Sequence, residues 1–236
     1  MNEILSCAFV TTDAGVAAVD CTYNQICGGG RRPAGHVRPA VHAPGEVAAW
    51  LAELAALEAA SVGAFDDLAR ELTAHGAPSA LAGAARRSAA DEVRHARQVG
   101  ALARAAGAAT LEVTHRARPV RALEAVALDD AVEGCAREAL GAFFAAHQAE
   151  RAADPIVRRV FRGIARDEAR HALLSAAVLD WARDRLGPRR ARALDEARRA
   201  ELDQLGSMTD EVSPALRTVL GLPSAETACR YARALA

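Results

Sequence analysis

The sequence predicts an all-α fold built on a four-helix bundle. Hydrophobic residues make up 51% of the chain and aromatic residues only 4%, so small side chains such as alanine supply much of the apolar surface. This composition favours helices that pack closely together. Apolar residues recur at helical spacing in four stretches between residues 46 and 187, and Gly or Pro residues separate the stretches. A chain of 236 residues is long enough to bury one such core.

The N-terminal residues 1–45 are predicted to be an irregular segment. Gly and Pro are dense here, including the triplet Gly28–Gly30, which indicates loops or short extended structure. We expect residues 1–44, with Cys21 and Cys27, to form a non-helical cover that shapes access to the bundle. A disordered tail is the alternative.

Helical periodicity begins at Glu46. The first helix is predicted from there to about Gly76, where Gly76-Ala77-Pro78 stops it. The remaining three are predicted at about 78–107, 121–153 and 155–187. Asp154 supplies an N-cap for the fourth, and Pro155 suits its first turn.

The connections between the predicted helices are short, long and short. Short loops join antiparallel neighbours, and the long connection at 108–120 joins the two hairpins, so one long crossover is expected. Residues 46–187 therefore form the predicted bundle. Residues 188–236 are predicted to be a C-terminal helical extension.

A five-residue pattern, D-E-x-R-H, occurs twice, at residues 91–95 and 167–171. Each copy places a Glu and a His three residues apart on one helical face. A further Glu precedes each copy inside an apolar stripe: Glu58 lies 34 residues before Glu92, and Glu133 lies 35 residues before Glu168. The predicted site is therefore made of these six residues: Glu58, Glu92, His95, Glu133, Glu168 and His171.

Four Glu and two His residues on four helices are the ligand set of a carboxylate-bridged two-metal centre. Four carboxylates largely balance two divalent cations, and ionised Glu side chains buried without a cation would be very costly. One E-x-x-H pair on a solvated face would be unremarkable, but two copies, each partnered by a Glu in an apolar stripe, favour the metal site. Glu53 and Glu138 lie about 140° from the ligand faces on a regular helical wheel, so surface positions are predicted for both.

The residues beside the predicted ligands suggest a supporting layer. Asp91 and Asp167 are well placed to accept a hydrogen bond from the outer N–H of a ligand His, although a surface position is the alternative. Arg94 and Arg170 are expected to pair either with these acids or with solvent.

This ligand set resembles that of the ferritin-like di-iron carboxylate proteins, which include rubrerythrins, bacterioferritins, di-iron hydroxylases and desaturases, and manganese catalases. The resemblance covers about residues 46–187. It implies that Glu92 and Glu168 bridge two metals, that Glu58 and His95 bind one, and that Glu133 and His171 bind the other. It also implies two iron ions as cofactors, with manganese as the alternative.

The same resemblance implies an oxidoreductase that activates dioxygen, with no catalytic residue beyond the metal ligands. The substrate would be a small molecule or a peptide, and the electron donor is unidentified. Rubrerythrins usually carry an extra Glu where this chain has Ala136, and the D-E-x-R-H form is more similar to the oxygen-activating hydroxylases. A ferroxidase or iron-storage subunit is the alternative, and a purely structural metal site is a third. A homodimer is left open.

Charge and hydropathy narrow the partners and the location. The net charge of −1 gives no bulk field toward nucleic acid or an anionic membrane. No apolar run is expected to span a bilayer, and no signal peptide is evident, so a cytoplasmic protein is expected. A lipoprotein signal ending at Cys7 is the alternative. The five Cys residues are expected to be free thiols, and Cys21, Cys27, His36 and His42 suit a loop better than a second metal site because their spacing is loose.

Overall fold

The structure is a computed structural model, and it describes residues 4–11, 17–23, 31–33, 41, 43–109, 113–207 and 212–236. From Glu46 onward the described residues form helices and loops, which confirms the predicted helical fold class. The helices are α1 Glu46–Ala74, α2 Ser79–Ala105, α3 Leu123–Asp129, a π-helical segment Asp130–Glu138, α4 Ala139–Arg151, α5 Pro155–Leu186, α6 Pro188–Gly206, α7 Pro214–Leu220 and α8 Ala225–Leu235.

The sequence predicts an irregular segment at residues 1–45, but part of that segment forms two strands. Strand β1, Ile4–Thr11, pairs antiparallel with strand β2, Ala17–Tyr23. Neither strand contains Gly or Pro, and both contain β-branched residues, which favour extended structure. The predicted cover also involved Cys27, Gly28–Gly30, His36 and His42, which lie outside the described residues.

The long helices pack in pairs. α1 packs along α2, and the π-helical segment and α4 pack along α5, while α2 also packs against α5. Gly76 has a φ of +69°, a left-handed conformation that suits Gly, and it closes the short turn between α1 and α2. The long connection between α2 and α3 is fixed to α1 by the ion pair of Arg121 with Glu71 (2.7 Å). The loops are therefore short, long and short, as predicted.

Two apolar clusters fill the ends of the helical core, and a band of buried polar residues lies between them. One cluster includes Leu54 and Phe161, and the other includes Phe65 and Leu179. Glu58 lies on α1 between the two clusters, so the core places its carboxylate at the centre of the fold. The C-terminal helices complete this core: Leu216 and Leu220 of α7 belong to the first cluster and Leu194 of α6 to the second. α6 also packs against the π-helical segment, and α8 packs against α4.

Helix α1 corrects the expectation that no segment could span a membrane. An 18-residue window of α1 has a mean hydropathy of 1.4, so its length and composition would suffice. Its Ala and Leu residues serve packing instead, because 67% of that window is buried inside the protein. This burial is typical of the core helix of a soluble protein.

α3, the π-helical segment and α4 follow one another without a break and form the third helical unit. The π-helical segment brings the backbone of this unit close to α5. A Cβ atom added at Gly134 would lie 2.2 Å from Ser175 Oγ and 3.0 Å from Arg31 Nη1. Only Gly therefore fits at this position without displacing its neighbours. Gly163 on α5 offers a contrast, because a Cβ added there has no heavy atom within 4 Å.

We expect Gly134→Ala to lower the free energy of unfolding by about 1–3 kcal/mol, the usual cost of overpacking a core. The matched control, Gly163→Ala, should instead stabilise the protein by up to about 1 kcal/mol, because Ala is the better helix former. Urea denaturation of both variants measures the difference. Equal stabilities would contradict the close approach at Gly134.

Candidate metal centre

Six buried donor side chains converge between the two apolar clusters. They come from α1, α2, the end of the π-helical segment and α5, and none is more than 1% exposed. They form two groups of four residues. Each residue offers one ligand atom, and the four ligand atoms of a group all lie within 4.8 Å of one another. The first group is Glu58, Glu92, His95 and Glu168, and the second is Glu92, Glu138, Glu168 and His171.

Glu92 and Glu168 belong to both groups, so their carboxylates lie between two positions. His95 Nδ1 is 3.6 Å from Glu92 Oε2 and 3.6 Å from Glu168 Oε1. His171 Nδ1 is 3.2 Å from Glu92 Oε1 and 3.7 Å from Glu168 Oε1. Each shared carboxylate therefore faces both imidazoles, which is the arrangement needed to bridge two ions.

The structure does not bring Glu133 to this cluster. Its carboxylate accepts a hydrogen bond from the backbone N–H of Arg32 (3.2 Å) and lies 3.5 Å from Arg137 Nε. Glu138 occupies the expected ligand position, so the prediction that Glu138 is a surface charge is wrong: its side chain is fully buried.

The π-helical segment explains this error. Its i→i+5 turns hold an extra residue compared with an α-helix, so a wheel with 100° per residue loses the correct face within the segment. Within α4 the spacing is regular again, and Glu138 shares a face with the buried Gly141 and Ala145. That stripe of small residues was the sequence signal that could have identified Glu138.

The two D-E-x-R-H motifs support each other's histidines. His95 Nε2 lies 3.0 Å from Asp167 Oδ2, and His171 Nε2 lies 3.4 Å from Asp91 Oδ2. With the carboxylates ionised, each Nε2 carries the proton and donates it outward. Each Nδ1 atom then faces the Glu cluster, where a bound metal ion would replace any proton that Nδ1 carries.

Arg94 and Arg170 complete this crossed arrangement. Arg94 Nη2 lies 2.7 Å from Asp91 and 2.5 Å from Asp167, and Arg170 Nη2 lies 3.0 Å and 2.5 Å from the same two acids. Both arginines therefore pair with the acids. Partial burial alone would raise the pKa of Asp167, but hydrogen bonds from His95, Arg94 and Arg170 lower it to about 2. The acid is therefore ionised and can accept a hydrogen bond from the imidazole N–H.

The central carboxylates have strongly shifted pKa values. Burial, followed by the charge of Glu92, raises the pKa of Glu58 to about 8, and burial raises that of Glu138 to about 8. The pKa of Glu168 is also raised well above its ordinary value, first by burial and then by Glu92 and Glu58. Burial would lower the pKa of His95, but the neighbouring Glu58 and Glu92 raise it to about 11. Without a cation, these carboxylates are therefore costly to ionise together.

Several buried donor and acceptor atoms of the cluster have no hydrogen-bond partner in the described part of the chain. They are Glu58 Oε2, both carboxylate oxygens of Glu92 and of Glu168, Glu138 Oε1, and the Nδ1 atoms of His95 and His171. Burying polar atoms without partners costs free energy, and oxygen and imidazole ligands suit transition metals such as iron or manganese. The residues present therefore fit a centre of two metal ions.

Arg31 was not identified from the sequence, and it adds a fixed positive charge beside this cluster. It is 1% exposed, and its Nη1 and Nη2 both lie 2.8 Å from Asp130 Oδ1, while Nη1 is 4.0 Å from Glu138 Oε2. Ser61 Oγ donates to its carbonyl oxygen (2.8 Å), and Ser175 Oγ lies 3.4 Å from Glu138. Residues 31–33 have no periodic pattern, so sequence reasoning had no signal for this contact.

A small cavity of about 10 Å³ adjoins Glu58 and Glu168. Its other walls are mostly apolar and include Trp50, Phe144 and Phe161. This volume is about the minimum that holds one water molecule. An organic substrate does not fit in it.

The sequence matches no family model, and comparisons with curated proteins and with solved structures found no similar protein.

We expect Arg31→Met to lower the free energy of unfolding by about 3–5 kcal/mol, because it leaves Asp130 charged and buried without its partner. Adding Asp130→Leu should restore part of the loss. The exposed Arg104→Met is the control and should change stability by no more than about 0.5 kcal/mol. Chemical denaturation of the wild type, Arg31→Met, Asp130→Leu and the double variant forms a double-mutant cycle, and additive effects of the Arg31 and Asp130 changes would contradict their coupling.

Proposed function

We propose that the protein is a ferritin-like carboxylate protein that binds two iron ions, with manganese as the alternative, and acts as an oxidoreductase toward dioxygen. The observation that carries this proposal is the cluster of six buried donor side chains in two groups that share Glu92 and Glu168. Several of their buried polar atoms have no hydrogen-bond partner, which is costly, and bound cations would remove that cost.

The order of the helices supports the ferritin-like part of the proposal. Two helix pairs, α1 with α2 and the third helical unit with α5, are joined by one long connection. This is the connectivity of a four-helix bundle with one long crossover, and its di-metal members place Glu and Glu-x-x-His ligands on facing helices.

The proposed ligand roles follow from the two groups. Glu92 and Glu168 would bridge the ions, Glu58 and His95 would complete one position, and Glu138 and His171 would complete the other. When bound, the ions would supply the redox chemistry. The chain would hold them in a dry site.

The supporting residues would fix the geometry of the ligands. Asp167 accepts from His95 and Asp91 from His171, so each imidazole keeps its proton on Nε2 and offers Nδ1 to the ion. Arg94 and Arg170 form ion pairs with the two acids, which keeps the acids ionised and in place to accept from the histidines.

The cavity beside Glu58 and Glu168 supports dioxygen as the reacting small molecule. Its apolar wall suits a small uncharged molecule, and its volume of about 10 Å³ leaves no room for an organic substrate. That size favours the ferroxidase as the second candidate function, because an iron-oxidising protein needs no room for an organic molecule. Oxidation of a small molecule or peptide would require the cavity to open.

Metal stoichiometry separates the ligand roles. Glu168→Ala should lose both ions because it removes a shared carboxylate, whereas Glu138→Ala should lose one. Glu133→Ala is the matched control on the same helical unit and should keep two ions per chain. Elemental analysis of the purified variants, with circular dichroism to verify folding, gives the counts. Metal loss in Glu133→Ala with full loading in Glu138→Ala would contradict the assignment.

Filling the cavity should slow the reaction with dioxygen without removing the ions. Ala145→Leu places a larger side chain in the cavity wall, and the neighbouring exposed Ala146→Leu is the control. Stopped-flow mixing of the reduced, metal-loaded proteins with dioxygen should show at least a tenfold slower reaction for Ala145→Leu only. Equal rates, at equal metal content, would exclude this cavity as the dioxygen site.

A further inference from the structure

The exposed charges over the candidate metal centre are all of one sign. Every exposed charged side chain of α2, and of α5 as far as Leu179, is an arginine. We define the Arg face by six of them, three from each helix: Arg87, Arg94, Arg97, Arg162, Arg166 and Arg170. The whole chain has a net charge of −1, so this face is a strong local departure from the average.

The only acids on the outer side of these helix segments are Asp91 and Asp167, and they do not cancel the face. Arg94 and Arg170 already neutralise them. Among the residues that the structure describes, Arg97 and Arg166 have no carboxylate partner. The chain contains no Lys, so all of its basic residues on this surface are Arg. That usage does not explain why the surface has no unpaired acid. The face therefore attracts anionic surfaces over a range of about 10 Å at moderate salt.

The Arg face is connected to the candidate metal centre by hydrogen bonds. Arg94 contacts Asp167 at 2.5 Å, and Asp167 contacts His95 Nε2 at 3.0 Å. Arg170 contacts Asp91 at 3.0 Å, and Asp91 lies 3.4 Å from His171 Nε2. Both candidate ligand histidines thus connect to this one surface through a single acid each, while the centre itself is sealed from solvent.

Two large apolar side chains on the outside of α5 indicate a protein partner. Leu173 is 72% exposed and lies one turn after Arg170, and Ile156 is 57% exposed at the start of the helix. Arginines combined with exposed apolar residues are typical of protein interfaces. Binding to nucleic acid would need the arginines alone.

We propose that the Arg face is the docking surface for an acidic protein that donates electrons to the metal centre. This inference rests on the proposed function. Each encounter would transfer one electron, so that the donor is oxidised by one electron and one iron(III) is reduced to iron(II). Two encounters reduce both ions. Arg94 and Arg170 have a positioning role, because they hold the acids that orient the histidines.

Binding of an acidic plant-type [2Fe–2S] ferredoxin to the metal-loaded protein tests the proposal. Fluorescence anisotropy of the labelled ferredoxin should show binding that weakens as NaCl is raised. The double variant Arg97→Glu/Arg166→Glu should weaken binding at least tenfold. The control Arg192→Glu/Arg233→Glu makes the same change in net charge at exposed positions on α6 and α8, and should change the Kd less than threefold.

Two results would overturn the docking surface. One is equal ferredoxin binding by the two double variants. The other is tighter binding of a 20-base-pair DNA duplex than of ferredoxin, with loss of that binding in Arg97→Glu/Arg166→Glu, since the face would then be a nucleic-acid interface. A basic cytochrome c serves as the opposite-charge probe and should bind the wild-type protein no better than either variant.

Metal analysis of the same samples keeps the two proposals distinguishable. Two ions per chain without ferredoxin binding would reject the docking surface and leave the metal centre standing. A chain that takes up no metal would reject the proposed function, and the electron transfer with it, whatever the ferredoxin does. Reduction of the oxidised centre by reduced ferredoxin should follow the same order of variants as the binding.

Discussion

The burial of several carboxylates at one point is the constraint on which the rest of the structure depends. The central acids are Glu58, Glu92, Glu138, Glu168 and Asp130, and each is at most 1% exposed. With both histidines neutral, they carry five negative charges when ionised. Arg31 supplies one positive charge, and two divalent ions would supply the other four. The central cluster would then be neutral, which removes most of the electrostatic cost of burying it.

This balance gives residues 31–33 a structural role. Arg31 reaches between α1, the π-helical segment and α5, and its guanidinium is shared by Asp130 and Glu138. Gly134 leaves room for it, because a Cβ there would come within 3.0 Å of Arg31 Nη1. The close helix approach and the buried arginine therefore depend on each other. Anything that displaced residues 31–33 would leave a candidate ligand, Glu138, with an altered charge environment.

The sequence predicted the helical class, the order of short and long loops, and five of the six clustered donors. These succeeded because they depend on local regularity: helical spacing places Glu92 with His95, and Glu168 with His171, on the same faces. A regular helical wheel predicts Glu133 rather than Glu138 as the ligand. That prediction is wrong because the π-helical segment breaks the regularity, and a periodic pattern does not reveal an extra residue in a turn.

Other features could not be predicted because they arise from contacts between distant segments. Arg31 meets Asp130 across 99 positions of the chain. The crossing of the two motifs, in which Asp167 serves His95 and Asp91 serves His171, requires α2 and α5 to run side by side in one particular register. The sequence indicated that these acids could support a histidine, but spacing alone did not indicate which one.

Anomalous X-ray scattering at the iron edge, from crystals of the protein produced in iron-supplemented medium, tests the central claim most directly. Our account predicts two anomalous peaks about 3.5–4 Å apart, with Glu92 and Glu168 between them, His95 and Glu58 at one peak, and His171 and Glu138 at the other. Manganese-edge data would identify the alternative metal in the same positions. Well-ordered crystals that show these six side chains in place, but no anomalous peak among them at either edge, would contradict the account.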